Sequence, residues 1–172
     1  FHILLDAYAT HGKMKEAMSL LGTMMQLQTK GYKYLKPEAT TFTIMIKGYI
    51  RSGQVEQAEQ VLVQMSQMGL EPNEHLFAML INAHVNAGKF EMAEKLINEM
   101  EHGFRIRLNT KLCNTIIKCY LQSKQEEKVK QILERMQREG IPWDHKTEQN
   151  LRRGAANVKL TLQDVAKLKP KG

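Results

Sequence analysis

The sequence is poor in the residues that staple, kink or anchor a chain. Its 172 residues include only two cysteines, Cys113 and Cys119, six positions apart in one segment. With no C-x-x-C spacing, a disulfide framework and a thiolate zinc site are excluded, and both read as small residues packed in a helix. Four prolines and 6% aromatics, set against eleven Met, favour helix over strand. No apolar run approaches the roughly 18 residues of a membrane span, so no membrane partner is expected. The histidines His2, His11, His75, His84, His102 and His145 are scattered. They form no H-x-E with P-C-x-x-C, the zinc deaminase signature, and no glycine-rich phosphate cradle is present. No catalytic residue, metal site or cofactor is therefore expected, and the protein reads as a non-enzyme. The chain opens on Phe1 rather than Met, partway through a repeat. This leads to the expectation of a piece of a longer protein, with any targeting segment outside it.

The composition that remains, 42% apolar and 25% charged, is that of a globular chain. A net charge of +7 and a pI near 9.4 suit a polyanionic partner. The strongest signal is repetition. GQVEQAEQVLVQM (53–65) returns as GKFEMAEKLINEM (88–100) and KQEEKVKQILERM (124–136), after an earlier copy, GKMKEAMSLLGTM (12–24). The starts lie 41, 35 and 36 residues apart, which marks a repeat array.

Residues 38–73 show the plan of one unit. Phe42, Met45, Ile46, Tyr49 and Ile50 fall at helical spacing and make one apolar face. Gly53 supplies a turn that needs positive φ. Val55, Ala58, Val61, Leu62 and Met65 then make a second face, which ends near Gly69 with Pro72 blocking continuation. The following units repeat this with Leu76, Phe77, Leu80, Ile81 and Val85, then with Leu112, Ile116, Ile117, Tyr120 and Leu121. Met24, Met65, Met100 and Met136 read as core fillers. The connection over 25–38 is about six residues longer than its counterparts, which explains the 41-residue step. A hairpin cannot bury both of its apolar faces alone, and stacking buries them. The expected fold is all-α, a right-handed α-solenoid of stacked helical hairpins with repeats of about 35 residues. Its expected divisions are a partial first repeat with extended linker (1–38), repeats over 39–73, 74–109 and 110–144, a partial last repeat (145–154) and a basic tail (155–172). The tail has room for a short helix from Thr161 with Asp164 in its capping box.

Polar residues on the first helices share an arc about 80° wide. It holds Thr40, Thr43, Lys47 and Arg51; then His75, Ala78, Asn82 and Asn86; then Lys111, Asn114, Lys118 and Gln122; then Lys146, Gln149 and Arg153. For any single lysine the plain reading is a solvated helix side. The set says more, because the arc holds no acid while Glu56, Glu59, Glu91, Glu94, Glu126, Glu127 and Glu134 gather on the second helices. Such segregation suits a groove that attracts an anion.

The unit TTFTIMIKGYIRSGQVEQAEQVLVQMSQMGLEPN resembles the pentatricopeptide repeat motif, with I-x-G-Y near the end of the first helix, then S-G, a closing Met and G-x-x-P-[ND]. The resemblance covers residues 1 to about 154, strongly in three units and more weakly in the first and last. Tetratricopeptide hairpins need a W-x-x-L-G-x-x-Y opening that is missing. The resemblance implies binding of single-stranded RNA, organellar mRNA or rRNA, at about one base per repeat. It implies a mitochondrial or chloroplast location and work in RNA processing, stability or translation. The base-reading pairs it implies are Thr43 with Asn73, Ala78 with Asn109 and Asn114 with Asp144. By the family's code these read adenine, no particular base, since Ala78 has no polar group, and uracil. His2 with Glu38 matches no pairing. Lys47, Arg51, Lys111, Lys118, Lys146 and Arg153 are placed to neutralise phosphates, and about five such contacts predict a log–log salt slope of roughly −3.5. Three bases at about 1 to 3 kcal/mol each give affinities centred on tens of micromolar. Either further repeats or other proteins of a ribonucleoprotein, such as an organellar ribosome, then supply the rest, and the non-coding Ala78 favours the second. The alternative reading is a protein–protein scaffold that uses the same surface.

Overall fold

The computed structural model describes residues 1–154 and Val158. The expected tail helix from Thr161 lies outside the described residues. Those described form nine α-helices: α1 (His2–Thr10), α2 (Met14–Thr29), α3 (Ala39–Arg51), α4 (Val55–Gln67), α5 (Glu74–Asn86), α6 (Phe90–Asn98), α7 (Thr110–Gln122), α8 (Glu126–Glu139) and α9 (His145–Gly154). None of these is long and apolar enough to cross a membrane. The chain divides into two compact units, residues 1–80 and 81–172.

In the first unit α1 pairs with α2 and α3 with α4, while α3 also packs on α1. The faces expected from the spacing are the buried ones. Phe42, Met45, Ile46 and Tyr49 of α3 lie inside and Ile50 is half-buried, while Val55, Ala58, Val61, Leu62 and Met65 of α4 lie inside. Each large side chain so enclosed is worth about 1.5 to 3 kcal/mol. In the second unit α7 packs on α6, α8 and α9. Met24, Met65, Met100 and Met136 are all buried, as the repeated pattern requires. Cys113 and Cys119 are enclosed as well, and burial pushes their thiols up to about 12 and about 11, so neither is a ready thiolate.

Within the hairpins the turn residue is left-handed. Gly12, Gly53 and Gly88 have φ of +70°, +72° and +71°, and Lys124 takes the same place at +59°. A side chain there costs roughly 1 kcal/mol that glycine does not.

Two details differ from the sequence reading. The stretch expected as a long linker over 25–38 is helical up to Thr29, because no glycine interrupts it before Gly31 at φ +101°. Only its remainder is irregular, with a 3₁₀ turn over Lys33–Leu35. The third repeat's extra residue is absorbed in a π-helical turn, Glu99–Gly103. Elsewhere the exit bond runs from Leu70 N–H to Met65 C=O (3.1 Å) or from Ile141 N–H to Met136 C=O (2.8 Å). Here it runs from Ile106 N–H to Met100 C=O (3.1 Å), one residue further on, and Arg105 holds the left-handed position at φ +52°. The π turn thus lets Asn109 enter the next helix in register.

Candidate nucleic-acid interface

Each first helix after α1 begins at a polar residue whose oxygen covers free N–H groups of the opening turn. Asn73 Oδ1 accepts from Leu76 N–H at 3.1 Å, and Asn109 Oδ1 from Leu112 N–H at 3.0 Å. Glu38 forms a capping box with Thr41, its own N–H donating to Thr41 Oγ1 at 3.1 Å. Asp144 Oδ1 accepts from Thr147 N–H at 2.8 Å and from Thr147 Oγ1 at 3.0 Å. The residues that the family code names last in each unit are therefore the caps of the next helix.

The cap also meets the preceding repeat. Asn114 Nδ2 donates to Asp144 Oδ1 at 3.0 Å, joining two residues 30 apart. Asn114 is 2% exposed and its Oδ1 has no hydrogen-bond partner, whereas Asp144 stays exposed. The Thr147 N–H, with Asn114 Nδ2 behind it, holds the Asp144 carboxyl below the ordinary carboxylate value. In the first unit the corresponding link runs through a threonine. His2 Nε2 lies 2.7 Å from Thr41 Oγ1, which in turn bonds the Glu38 cap. Thr41 and Thr147 are wholly buried. Sequence reasoning missed both threonines, and the His2–Glu38 pair it set aside is joined through Thr41. The available signal was a threonine three positions after an acidic cap.

The remaining implied base readers differ from one another. Thr43 is half-buried and its hydroxyl donates to Ala39 C=O at 2.8 Å, while Ala78 is buried. Asn73 is exposed and Asn109 half-buried.

Among the implied phosphate contacts, Lys47, Arg51, Lys111, Lys146 and Arg153 are exposed and Lys118 is half-buried. Two of them already bridge neighbouring hairpins. Arg51 Nη1 donates to Thr10 Oγ1 at 3.4 Å, and Lys118 Nζ to Asn86 Oδ1 at 2.9 Å. Several charges of α8 are met laterally from α6 and the turn that follows it. Lys128 pairs with Glu94, and Arg135 with Glu101 at 2.6 Å and Glu139 at 2.8 Å. Lys128 also lies over the Tyr120 ring, 5.6 Å from its centre. These rungs border a groove of about 430 Å³ between α6 and α8, so acid and base there largely satisfy each other.

Comparison with known proteins gives a consistent picture. The model of the PPR repeat family matches residues 37–80, and that of the PPR repeat matches 1–28, 76–102 and 112–141. The maize pentatricopeptide repeat-containing protein CRP1, chloroplastic, is 35% identical over 71 residues, 41% of this chain and 10% of that protein. A pentatricopeptide repeat-containing protein of Arabidopsis thaliana is 35% identical over 72 residues, 42% of this chain and 11% of its own length. The chain thus spans about a tenth of these relatives. Among solved structures, maize PPR10 superposes with a TM-score of 0.71 at 23% identity, over 90% of this chain and 23% of that one. PPR10 in complex with an 18-nt psaJ RNA element gives 0.70 at 16% identity, over 97% and 22%. Nuclear proteinaceous RNase P 2 of A. thaliana gives 0.68 at 14% identity, over 97% and 36%. The all-α solenoid of stacked hairpins expected from the sequence is the fold they share with it. The chain belongs to the pentatricopeptide repeat family.

Proposed function

We propose that this chain binds single-stranded RNA through the polar faces of its first helices, as part of a larger organellar protein or ribonucleoprotein. The observation that carries the reading is the separation of charge. Lys128, Lys130 and Arg135 of α8 are paired with carboxylates, whereas Lys47, Arg51, Lys111, Lys146 and Arg153 stand exposed on the first helices. The contact between Asn114 and Asp144 supports base reading, since the family code assigns these two residues to one base. Three donors converge on Asp144 Oδ1, which leaves acceptor capacity on the second oxygen for a base N–H such as that of uracil. Thr43 with Asn73 serves adenine, and Ala78 with Asn109 leaves the intervening base unspecified. A maize relative that carries the name chloroplastic, and an RNA complex among the structural neighbours, support an RNA role in mitochondrion or chloroplast.

The test is fluorescence anisotropy of the chain with single-stranded and duplex RNA across a salt series. Preference for the single strand is expected, with a log–log slope near −3.5 that Lys111→Ala and Lys118→Ala each reduce by about 0.7. Equal binding to duplex and a slope unmoved by these variants contradict the reading.

A further inference from the structure

The connection between the first two repeats is longer than the others and differs from them in chemistry. With the π turn counted as part of α6, the connection from α2 to α3 takes nine residues, against six between α4 and α5, six before α7 and five between α8 and α9. The added stretch, KGYKYLK over 30–36, brings Lys30, Lys33 and Lys36 with Tyr32 and Tyr34, and no acid occurs between Glu16 and Glu38.

The segment is built rather than slack. Tyr32 N–H donates to Leu27 C=O at 3.2 Å, Leu35 N–H to Tyr32 C=O at 2.9 Å, and Pro37 is buried behind it. Yet its aromatics point outward. Tyr34 is 80% exposed and Tyr32 47%, the two rings perpendicular with centres 6.0 Å apart. All three lysines are exposed, and none has an ion-pair partner among the described residues. Because the hairpins are antiparallel helix pairs, this connection lies at the end that also carries Glu38, Thr43 and Asn73, all within the first unit.

Exposed tyrosine faces interleaved with unpaired lysines suit unstacked bases on a phosphate backbone, a stacking contact that tolerates any sequence. A patch for a protein partner would gain little from three solvated lysines, which interface cores avoid. We propose that the segment Lys30–Lys36 is an additional single-strand contact. Tyr34 and Tyr32 stack on bases beside the one-base-per-repeat path, and the lysines neutralise the adjoining phosphates. This contact rests on the RNA reading above and adds affinity without adding specificity.

The test uses the whole chain and two labelled RNAs with the same A-x-U core, one flanked by nucleotides and one by abasic sites that keep the phosphates. The chain should bind the intact RNA about tenfold more tightly, and a Tyr32→Ala/Tyr34→Ala variant should bind both at the weaker level. On the flanked RNA, where these lysines add to the phosphate contacts counted above, alanine at Lys30, Lys33 and Lys36 together should flatten the salt slope by about 2. The solvent exposure of these side chains predicts an unchanged thermal midpoint in every variant. The proposal is overturned if the tyrosine variant still favours the intact RNA, or if it loses affinity equally for both. It is also overturned if the tyrosines matter only for binding to vesicles containing phosphatidylserine. Should the chain bind RNA with base discrimination that depends on Asn114 while the tyrosine variants stay silent, only this contact fails. Should no RNA bind at low salt, the RNA reading fails with it.

Discussion

Ten residues after each cap, at Gly48, Ala83, Cys119 and Gly154, the side chain is always small. The reason is visible at the two glycines. A Cβ on Gly48 would lie 2.7 Å from Ala9 Cβ and 2.6 Å from Met14 Sδ, and one on Gly154 would meet Leu121 Cδ1 at 2.6 Å. Met14 has freedom to move aside, but Ala9 does not, since its Cβ is fixed to the backbone. Gly48→Ala should therefore cost about 1 to 3 kcal/mol by overpacking. Gly22, inside α2 with nothing near its missing Cβ, should respond in the opposite direction, Gly22→Ala gaining about 0.5 to 1 kcal/mol. Urea denaturation of both variants checks the pair, and a stabilised Gly48→Ala chain would show that the hairpin seam is looser than described. Thr41 and Thr147 act on the same seam through hydrogen bonds. Thr41 was hidden in the sequence because only stacking brings His2 to it, whereas Thr147 acts locally by holding the Asp144 cap that Asn114 meets.

The helices themselves were legible because their apolar spacing is strict. Phe42, Met45 and Ile46, or Val61, Leu62 and Met65, place themselves inside at a period of 3.6. What the period does not encode is where length is absorbed. The one-residue surplus before Asn109 had no assignable place in the sequence, and the π turn at Glu99–Gly103 takes it up. The surplus after Met24 was read as loop, yet its first residues lengthen α2 to Thr29 because nothing there breaks a helix. Caps were half legible. Asn73, Asn109 and Asp144 stand out as the residues a family reader assigns to bases, and the structure gives each a second duty in holding a helix. A loss of RNA binding on truncation would therefore mix two effects. Asn109→Ala should lower stability by about 1 kcal/mol through the lost cap alone, whereas Asn109→Asp keeps the acceptor oxygen and should leave stability within about 0.5 kcal/mol. Thermal unfolding of the two variants without RNA separates cap from reader, and equal losses in both would mean that the Leu112 N–H bond contributes little.

For the molecule as a whole, repetition fixed the family and the fold class, while charge only points to the face proposed for RNA. The base code is the part least readable from sequence, because a code position is functional only if its side chain stays available. Ala78 is buried and apolar, and Asn114 is buried yet joined to an exposed Asp144. The second of these is where base reading is most directly exposed to test. Alanine already occupies the equivalent place at Ala78, so Asn114→Ala keeps a residue that the fold accepts there and leaves the Asp144 cap on Thr147 intact. The decisive measurement is the affinity of the chain and of Asn114→Ala for single-stranded RNAs that differ only in the base opposite this repeat. The account predicts that the chain prefers uracil there by about tenfold, and that the variant binds all four RNAs alike at the weaker level. A variant that keeps the uracil preference, or a chain that never had one, would contradict it.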